Sequence, residues 1–391
     1  MKLTIGVDVG GTKAAAGVVD AEGHLVEKLK RSTPAASPAR TAEVIADIVT
    51  ELASRHPVSA VGLGAAGFID ETRSTVLFAP NLAWRNEPLR QSVEDRVGLP
   101  VIVENDADSG LWAEAQFGAA RGYRDVIMIA VGTGIGAAIL INGDLYHGRF
   151  GIAGEPGHYR VVPDGRLCGC GNRGCWEQYS SGSALVAEAR EFARRSPEGA
   201  MRLLQLGGGH PEGISGPQVT EAAREGDPAA LRCFQIVGGW LGQGMADLAA
   251  ILDPGCFIIG GGVSEAGELL LDPARAAYER ALVGRGYRPL ADVRLAELGA
   301  DAGVVGAADL ARRFAEVALA RPDSARSDSA QPDRAQPFSR HTTAPSSGPS
   351  PSRGSSPIRM TSTANPPTNA PMAKNAATAG TVQPTAVAIS R

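Results

Sequence analysis

Sulfur is scarce in this chain. Five cysteines among 391 residues are too few, and odd in number, for a disulfide framework, which predicts a reducing compartment and places the protein in the cytoplasm. No uninterrupted apolar run is long enough to span a bilayer. The opening MKLTIGVDVGG enters a β pattern at once, so neither a secretory leader nor a membrane partner is expected. Basic runs are missing as well. The net charge is −4. The stretch from Arg321 onward holds eight basic residues against three acidic ones, about +5, which leaves the preceding body at about −9. A body that acidic repels nucleic acid, and no nucleic-acid partner is expected.

What is present suits a water-soluble α/β protein of two ordinary domains, with 43% hydrophobic and 20% charged residues. The last segment, from about 318 to 391, is rich in Ser, Pro and Ala and carries one aromatic after Arg321, Phe338. It cannot bury enough surface to offset its ordering entropy and is expected to be disordered. Within the body, LTIGVDVGGTKAAAGVVD (3–20) and VIMIAVGTGIGAAILING (126–143) repeat one design, a strand, a Gly-rich turn and a second strand. Helical patterns near 40–55, 107–117, 181–194, 228–252 and 265–283 alternate with the strands. That alternation predicts duplicated α/β halves with a cleft between them.

The two hairpin tips are candidates for phosphate contact. Gly10 and Gly11 leave room for phosphate oxygens, Thr12 adds a hydroxyl, Lys13 follows, and Asp8 could hold a hydrated Mg²⁺. Gly132, Thr133 and Gly134 offer a matching cradle. Each tip alone is equally an ordinary hairpin turn. The Walker pattern is absent, and GVDVGGTK leads into a strand where a dinucleotide fingerprint leads into a helix. Gly260, Gly261, Gly262 and Val263 follow an apolar strand and precede a helix. Such a turn could pass beneath an adenine or ribose, or simply pack tightly.

Val101–Asp106 is an apolar strand that ends in Glu104, Asn105 and Asp106 before a helical pattern. A carboxylate there could take a proton from an attacking hydroxyl, while the same residues could merely cap the helix. Cys168, Cys170 and Cys175 crowd a Gly-rich loop, and His158 stands upstream. Four such donors suit a structural Zn²⁺, with a redox pair as the rival reading. Glu155 and Glu177 flank them, either solvated or fixed on one rim by the loop. Cys233 and Cys256 read as core residues.

DVGGTK, VENDAD, VGTGIG, EPGH…CGCGNRGCWE and FIIGGGVS, in this order over about residues 1–315, resemble the ROK family of sugar kinases and sugar-responsive repressors, with the glucose-phosphorylating bacterial members nearest in pattern. The resemblance implies a two-lobed, actin-like (ribonuclease H-like) ATPase fold with an inserted zinc loop. The lobes would span 1–107 and 108–301, with a helix near 302–317 packing back on the first. It implies ATP, Mg²⁺ and structural Zn²⁺ on His158, Cys168, Cys170 and Cys175. It also implies transfer of the γ-phosphoryl group to the 6-hydroxyl of glucose with Asp106 as base. Gly67, Asn81, Asn105, Glu155, His158 and Glu177 would contact the sugar, and the chain would form a homo-oligomer, a dimer or tetramer. Kinases of N-acylmannosamine or fructose, and a sugar-binding regulator, are the alternatives. Repressor members place a helix-turn-helix ahead of this body, and none is expected here. Two positions depart from the family pattern: Asp108 where asparagine is frequent, and Pro156 where a bulky apolar residue is frequent.

Overall fold

A computed structural model describes residues 3–320, with side chains as far as Val317. The tail expected to be disordered lies outside the described residues beyond Ala320. The first half contains β1 (Leu3–Val9), β2 (Lys13–Val19), β3 (Leu25–Ser32), α1 (Pro38–Arg55), β4 (Val58–Ala65), β5 (Phe68–Ile69), β6 (Val76–Phe78), β7 (Arg85–Glu87), α2 (Leu89–Val97) and β8 (Val101–Asn105). Then come α3 (Asp106–Phe117), β9 (Val126–Val131), β10 (Ile135–Ile141), β11 (Asp144–Leu145), α4 (Glu177–Ser180), α5 (Gly182–Arg195), α6 (Met201–Leu206) and α7 (Gly216–Arg224). The described chain closes with α8 (Pro228–Leu252), β12 (Cys256–Gly260), α9 (Glu268–Ala281), β13 (Asp292–Leu295) and α10 (Ala302–Ala320).

Two five-stranded mixed sheets share one design. In the first, ordered β3-β2-β1-β4-β8, a meander of β1, β2 and β3 is extended on its other side by β4 and β8, both parallel to β1. In the second, ordered β11-β10-β9-β12-β13, β9, β10 and β11 form the meander and β12 and β13 the parallel wing. The two hairpins legible in the sequence are therefore the equivalent pairs β1–β2 and β9–β10. In register, Asp8 stands beside Gly64 and Gly64 beside Glu104. The C-terminal ends of three parallel strands thus come out together, the edge at which α/β sheets take ligands.

Each sheet buries its own core. Ile5, Val7, Ile45, Leu52, Leu63 and Trp84 pack on the first, and Ile127, Trp176, Phe234 and Phe257 on the second. In α1, Ala42, Ile45, Ile48, Val49 and Leu52 fall on one face at helical spacing, behind a Pro38 start. In α8 the Asp227 side chain accepts from the Ala230 N–H and Pro228 opens the first turn. The pattern expected over 265–283 is shorter. Gly267, at φ +63°, ends a 3₁₀ turn over 262–266, and α9 begins after it.

Helix α10 lies on the first sheet because Gly6 and Gly62 carry no side chain. A Cβ on either would come within 1.8 Å of the α10 carbonyls of Val304 and Ala307. The Thr4 hydroxyl donates to the Ala308 carbonyl at 2.9 Å. Helix α3 crosses the 107/108 division and packs on both sides of it: Leu111 joins the cluster around Val126 and Met128, and Ala113 joins that around Ala15 and Val304. No helix among the described residues is long and apolar enough to cross a membrane.

Candidate active site

The strand-to-helix junction at Asn105 is a true cap. Its Oδ1 accepts from the N–H groups of Ala107 (2.8 Å) and Asp108 (3.2 Å), and its Nδ2 donates to the Gly67 carbonyl at 3.0 Å. Capping uses the side-chain oxygen, and the second Nδ2 hydrogen has no partner among the described residues. Asp106 opens α3, half-buried, and accepts from the Ala107 N–H at 3.0 Å. Burial raises its pKa above the ordinary carboxylate value. Asp8, at the end of β1, is pushed up to about 6, first by burial and then by the charge of Asp106. Glu155 is raised too, by burial first, with Asp106 and Glu177 adding and His158 opposing. These groups share one electrostatic neighbourhood. Gly303 of α10 lies against Asp8, where a methyl group would sit 3.3 Å from its carboxyl carbon. That residue was not singled out in the sequence.

The first tip is closed by a Gly10 N–H bond to the Lys13 carbonyl at 3.0 Å, and leaves Thr12 and Lys13 exposed. Gly11 lies under the β6–β7 loop, where a Cβ would come 2.8 Å from the Asn81 carbonyl oxygen. Gly67, at φ +153°, presses against the Phe78 carbonyl. The second tip is anchored by α5, whose Gly182 N–H donates to the Gly132 carbonyl at 2.7 Å and Ser183 N–H to Thr133 at 3.3 Å. Gly134 faces Glu177, whose Oε2 would lie 2.5 Å from a Cβ there.

A groove of about 1560 Å³ is lined by Gly132, Thr133, Gly182, Ser183, Gly262 and Val263 among others. Gly260 is buried at the end of β12, and Gly261, at φ +80°, tucks under the Val131 backbone. The second tip and the third glycine cluster therefore share a wall. Neither the first tip nor Asp106 lines this groove. The first tip packs instead on the Asn81 loop, because Gly11 leaves room for it.

His158, Cys168, Cys170 and Cys175 place one donor atom each within 4.8 Å of all the others. His158 Nδ1 is 3.6 Å from Cys168 Sγ, and Cys170 Sγ is 3.6 Å from Cys175 Sγ. A tetrahedral metal with M–S bonds of about 2.3 Å has ligand–ligand edges of about 3.8 Å, so the four donors could hold one. Glu177 Oε1 approaches the same cluster, 3.0 Å from Cys168 Sγ and 3.8 Å from His158 Nδ1. The loop is held from beneath by Trp176, fully buried, whose Nε1 donates to the Trp240 carbonyl at 2.8 Å. Pro156 heads a 3₁₀ turn over 156–158, a position that needs no N–H and suits its fixed φ. Cys233 and Cys256 are buried, and burial pushes both thiols up to about 12.

Behind Asp106 the structure shows a group the sequence reading did not gather: Glu104, Asp108, Arg73 and His147. Its legible signals were Glu104, a charged residue at the end of an apolar strand run, and Asp108, the departure from the family pattern.

The model of the ROK family matches residues 4–314. The glucokinase of Streptomyces coelicolor is 54% identical over 312 residues, which cover 80% of this chain and 98% of that protein. A solved ROK family glucokinase from Streptomyces griseus in complex with glucose and AMPPNP is 55% identical, with a TM-score of 0.72 over 80% of this chain and 99% of that one. The xylose repressor of Bacillus subtilis is 29% identical over 278 residues, 70% of this chain and 67% of that protein. The same body thus serves kinases and repressors. With the family pattern running from β1 into α10, this chain belongs to the ROK family.

Proposed function

We propose that the chain is an ATP-dependent glucokinase that transfers the γ-phosphoryl group of ATP to the 6-hydroxyl of glucose, on an actin-like two-lobed scaffold in the cytoplasm. The observation that supports this reading is that the charges of Asp106, His158 and Glu177 all act on Glu155, with His158 Nδ1 3.8 Å from Glu177 Oε1, in a chain 54% identical to a glucokinase over nearly that protein's whole length.

Glucose presents hydroxyls that need acceptors and fixed donors. Glu155 and Glu177 accept, Asn105 keeps one free N–H, and Gly67 and Asn81 bring backbone and amide to the ring. His158 turns Nδ1 toward Cys168, which leaves Nε2 for a hydroxyl. Asp106 orients the 6-hydroxyl. As its oxygen attacks the γ-phosphorus, the bond to the β,γ-bridging oxygen of the departing ADP breaks and the hydroxyl proton passes to the Asp106 carboxylate. A carboxylate raised by burial is a stronger base than a solvated one.

The nucleotide's base and ribose fit the groove beside Gly261, Gly262 and Val263, and its phosphates the N–H groups of the second tip. Closure of the two halves would bring the first tip, Gly10 to Lys13, onto the phosphates and exclude water. Asp8 accepts no hydrogen bond from a side chain among the described residues and has a raised pKa, a carboxylate suited to a hydrated Mg²⁺. When bound, that ion offsets phosphate charge. The Cys₃His cluster suits structural Zn²⁺, which when bound closes the loop on which Glu155 and Glu177 stand. The homo-oligomer implied by the family resemblance, a dimer or tetramer, is read out by light scattering.

A coupled assay with purified protein, a panel of hexoses and N-acylmannosamine, and ATP against polyphosphate tests this reading. ATP-dependent glucose phosphorylation is expected to dominate; turnover of fructose without glucose would overturn it.

A further inference from the structure

The cluster behind Asp106 draws on every part of the fold that meets there. Glu104 is the penultimate residue of β8 and 1% exposed; Asp108 is in the first turn of α3 and 6% exposed. His147 belongs to the loop after β11. Its Nε2 lies 3.1 Å from Glu104 Oε2 and 3.9 Å from Asp108 Oδ2. Arg73, in the β5–β6 turn, sets Nη2 2.5 Å from Glu104 Oε2, a close ion pair outside hydrogen-bond angles. Arg73 holds a left-handed backbone, φ +56°, and its carbonyl accepts from the Val103 N–H at 3.1 Å. The loop that bears His147 is pinned to the same turn, by the Arg149–Glu71 ion pair and by Gly151, which packs on the Ile69 carbonyl. Eight residues after His147 the loop delivers Glu155.

Two buried carboxylates face one guanidinium. Without a further positive charge the group is net negative, and an uncompensated buried charge is strongly unfavourable. One bound proton on the His147–Asp108 pair makes the group neutral.

We propose that His147 is a positioning residue: by completing the charge balance of Glu104, Asp108 and Arg73, it straps the loop that delivers Glu155 to the strand end that presents Asn105 and Asp106. The inference rests on reading those residues as the glucose site. Glu104, by hydrogen bond and charge, raises the pKa of His147, with Asp108 adding and burial and Arg73 opposing. Burial, then Glu104, raise that of Asp108, with Asp106 adding and His147 and Arg73 opposing. The bound proton is therefore held to a higher pH than an ordinary imidazole would hold it, and is lost as pH rises through that raised value. There the strap becomes net negative and loosens.

The test is equilibrium titration of the full-length protein with glucose, without nucleotide, from acid to alkaline pH. The wild type is compared with His147→Gln, Asp108→Asn and the double variant. Wild-type affinity is expected to weaken on the alkaline side and Asp108→Asn to flatten that limb. His147→Gln should bind about tenfold more weakly at neutral pH, and the added Asp108→Asn should recover most of that loss, a coupling typical of contacting charges. A double variant no better than His147→Gln, or an alkaline limb unchanged in Asp108→Asn, overturns the proposal. If His147→Gln is insoluble, wild type against Asp108→Asn across pH still decides. Turnover plays no part in this readout, so an active Asp106→Asn enzyme would defeat the assignment of the base and leave the strap standing.

Discussion

Asn105 shows why short motifs need a fold around them. On spacing alone the Asn-Asp pair read first as a helix cap and only second as a site, and the structure gives Asn105 the cap while Asp106 opens α3 and accepts only the Ala107 N–H among the described residues. Asp108, the residue that departs from the family pattern, faces Glu104 and His147. Burial, and not Asp108, is what raises Asp106. The base must be ionised to accept a proton, so its contribution is present above the raised pKa and lost as pH falls through it. The acid limb of a kcat/KM profile for glucose is therefore expected at a pH above the ordinary carboxylate value near 4. A limb at or below that value would contradict a buried base. Glu104 was visible in the sequence, but its partners lie 31 and 43 positions away, on a turn and a loop, and no local pattern joins them.

Among the elements, the hairpins and the long helices were legible because their periodicities run unbroken. The helix expected over 228–252 is α8 to the residue. The short helices α2, α6 and α7 were not anticipated, since each buries only one to three side chains and carries too little periodic signal. The seat of α10 was legible only as a family expectation. Its physical cause is a pair of glycines, Gly6 and Gly62, neighbours in register across β1 and β4. A Cβ at Gly62 meets backbone, which cannot rotate away. Gly62→Ala is therefore expected to lower stability by about 1–3 kcal/mol, as overpacking does, measured by chemical denaturation. A variant as stable as the wild type would show that α10 is not held by that contact.

At the scale of the whole molecule, the half before α3 and the start of α3 carry Asp8, Asn81, Asn105 and Asp106, and the half after it carries Glu155, His158, Glu177 and the groove beside the second tip. The cysteine cluster belongs to the second half and lies against Glu177, so metal removal should reach the sugar more than the nucleotide. Chelation followed by restored Mg²⁺ is expected to release about one zinc per chain, lower the melting temperature and raise KM for glucose, with nucleotide binding in the groove largely kept. Fresh protein without zinc, yet with normal glucose affinity, would contradict that role.

The account stands or falls on Asp106. Asp106→Asn keeps the size and the helix start while removing the base, so steady-state kinetics with glucose and ATP are the most direct measurement. The account predicts a loss in kcat of about 10²–10⁴-fold, with KM for glucose changed only a few-fold. Turnover close to the wild-type rate would contradict it.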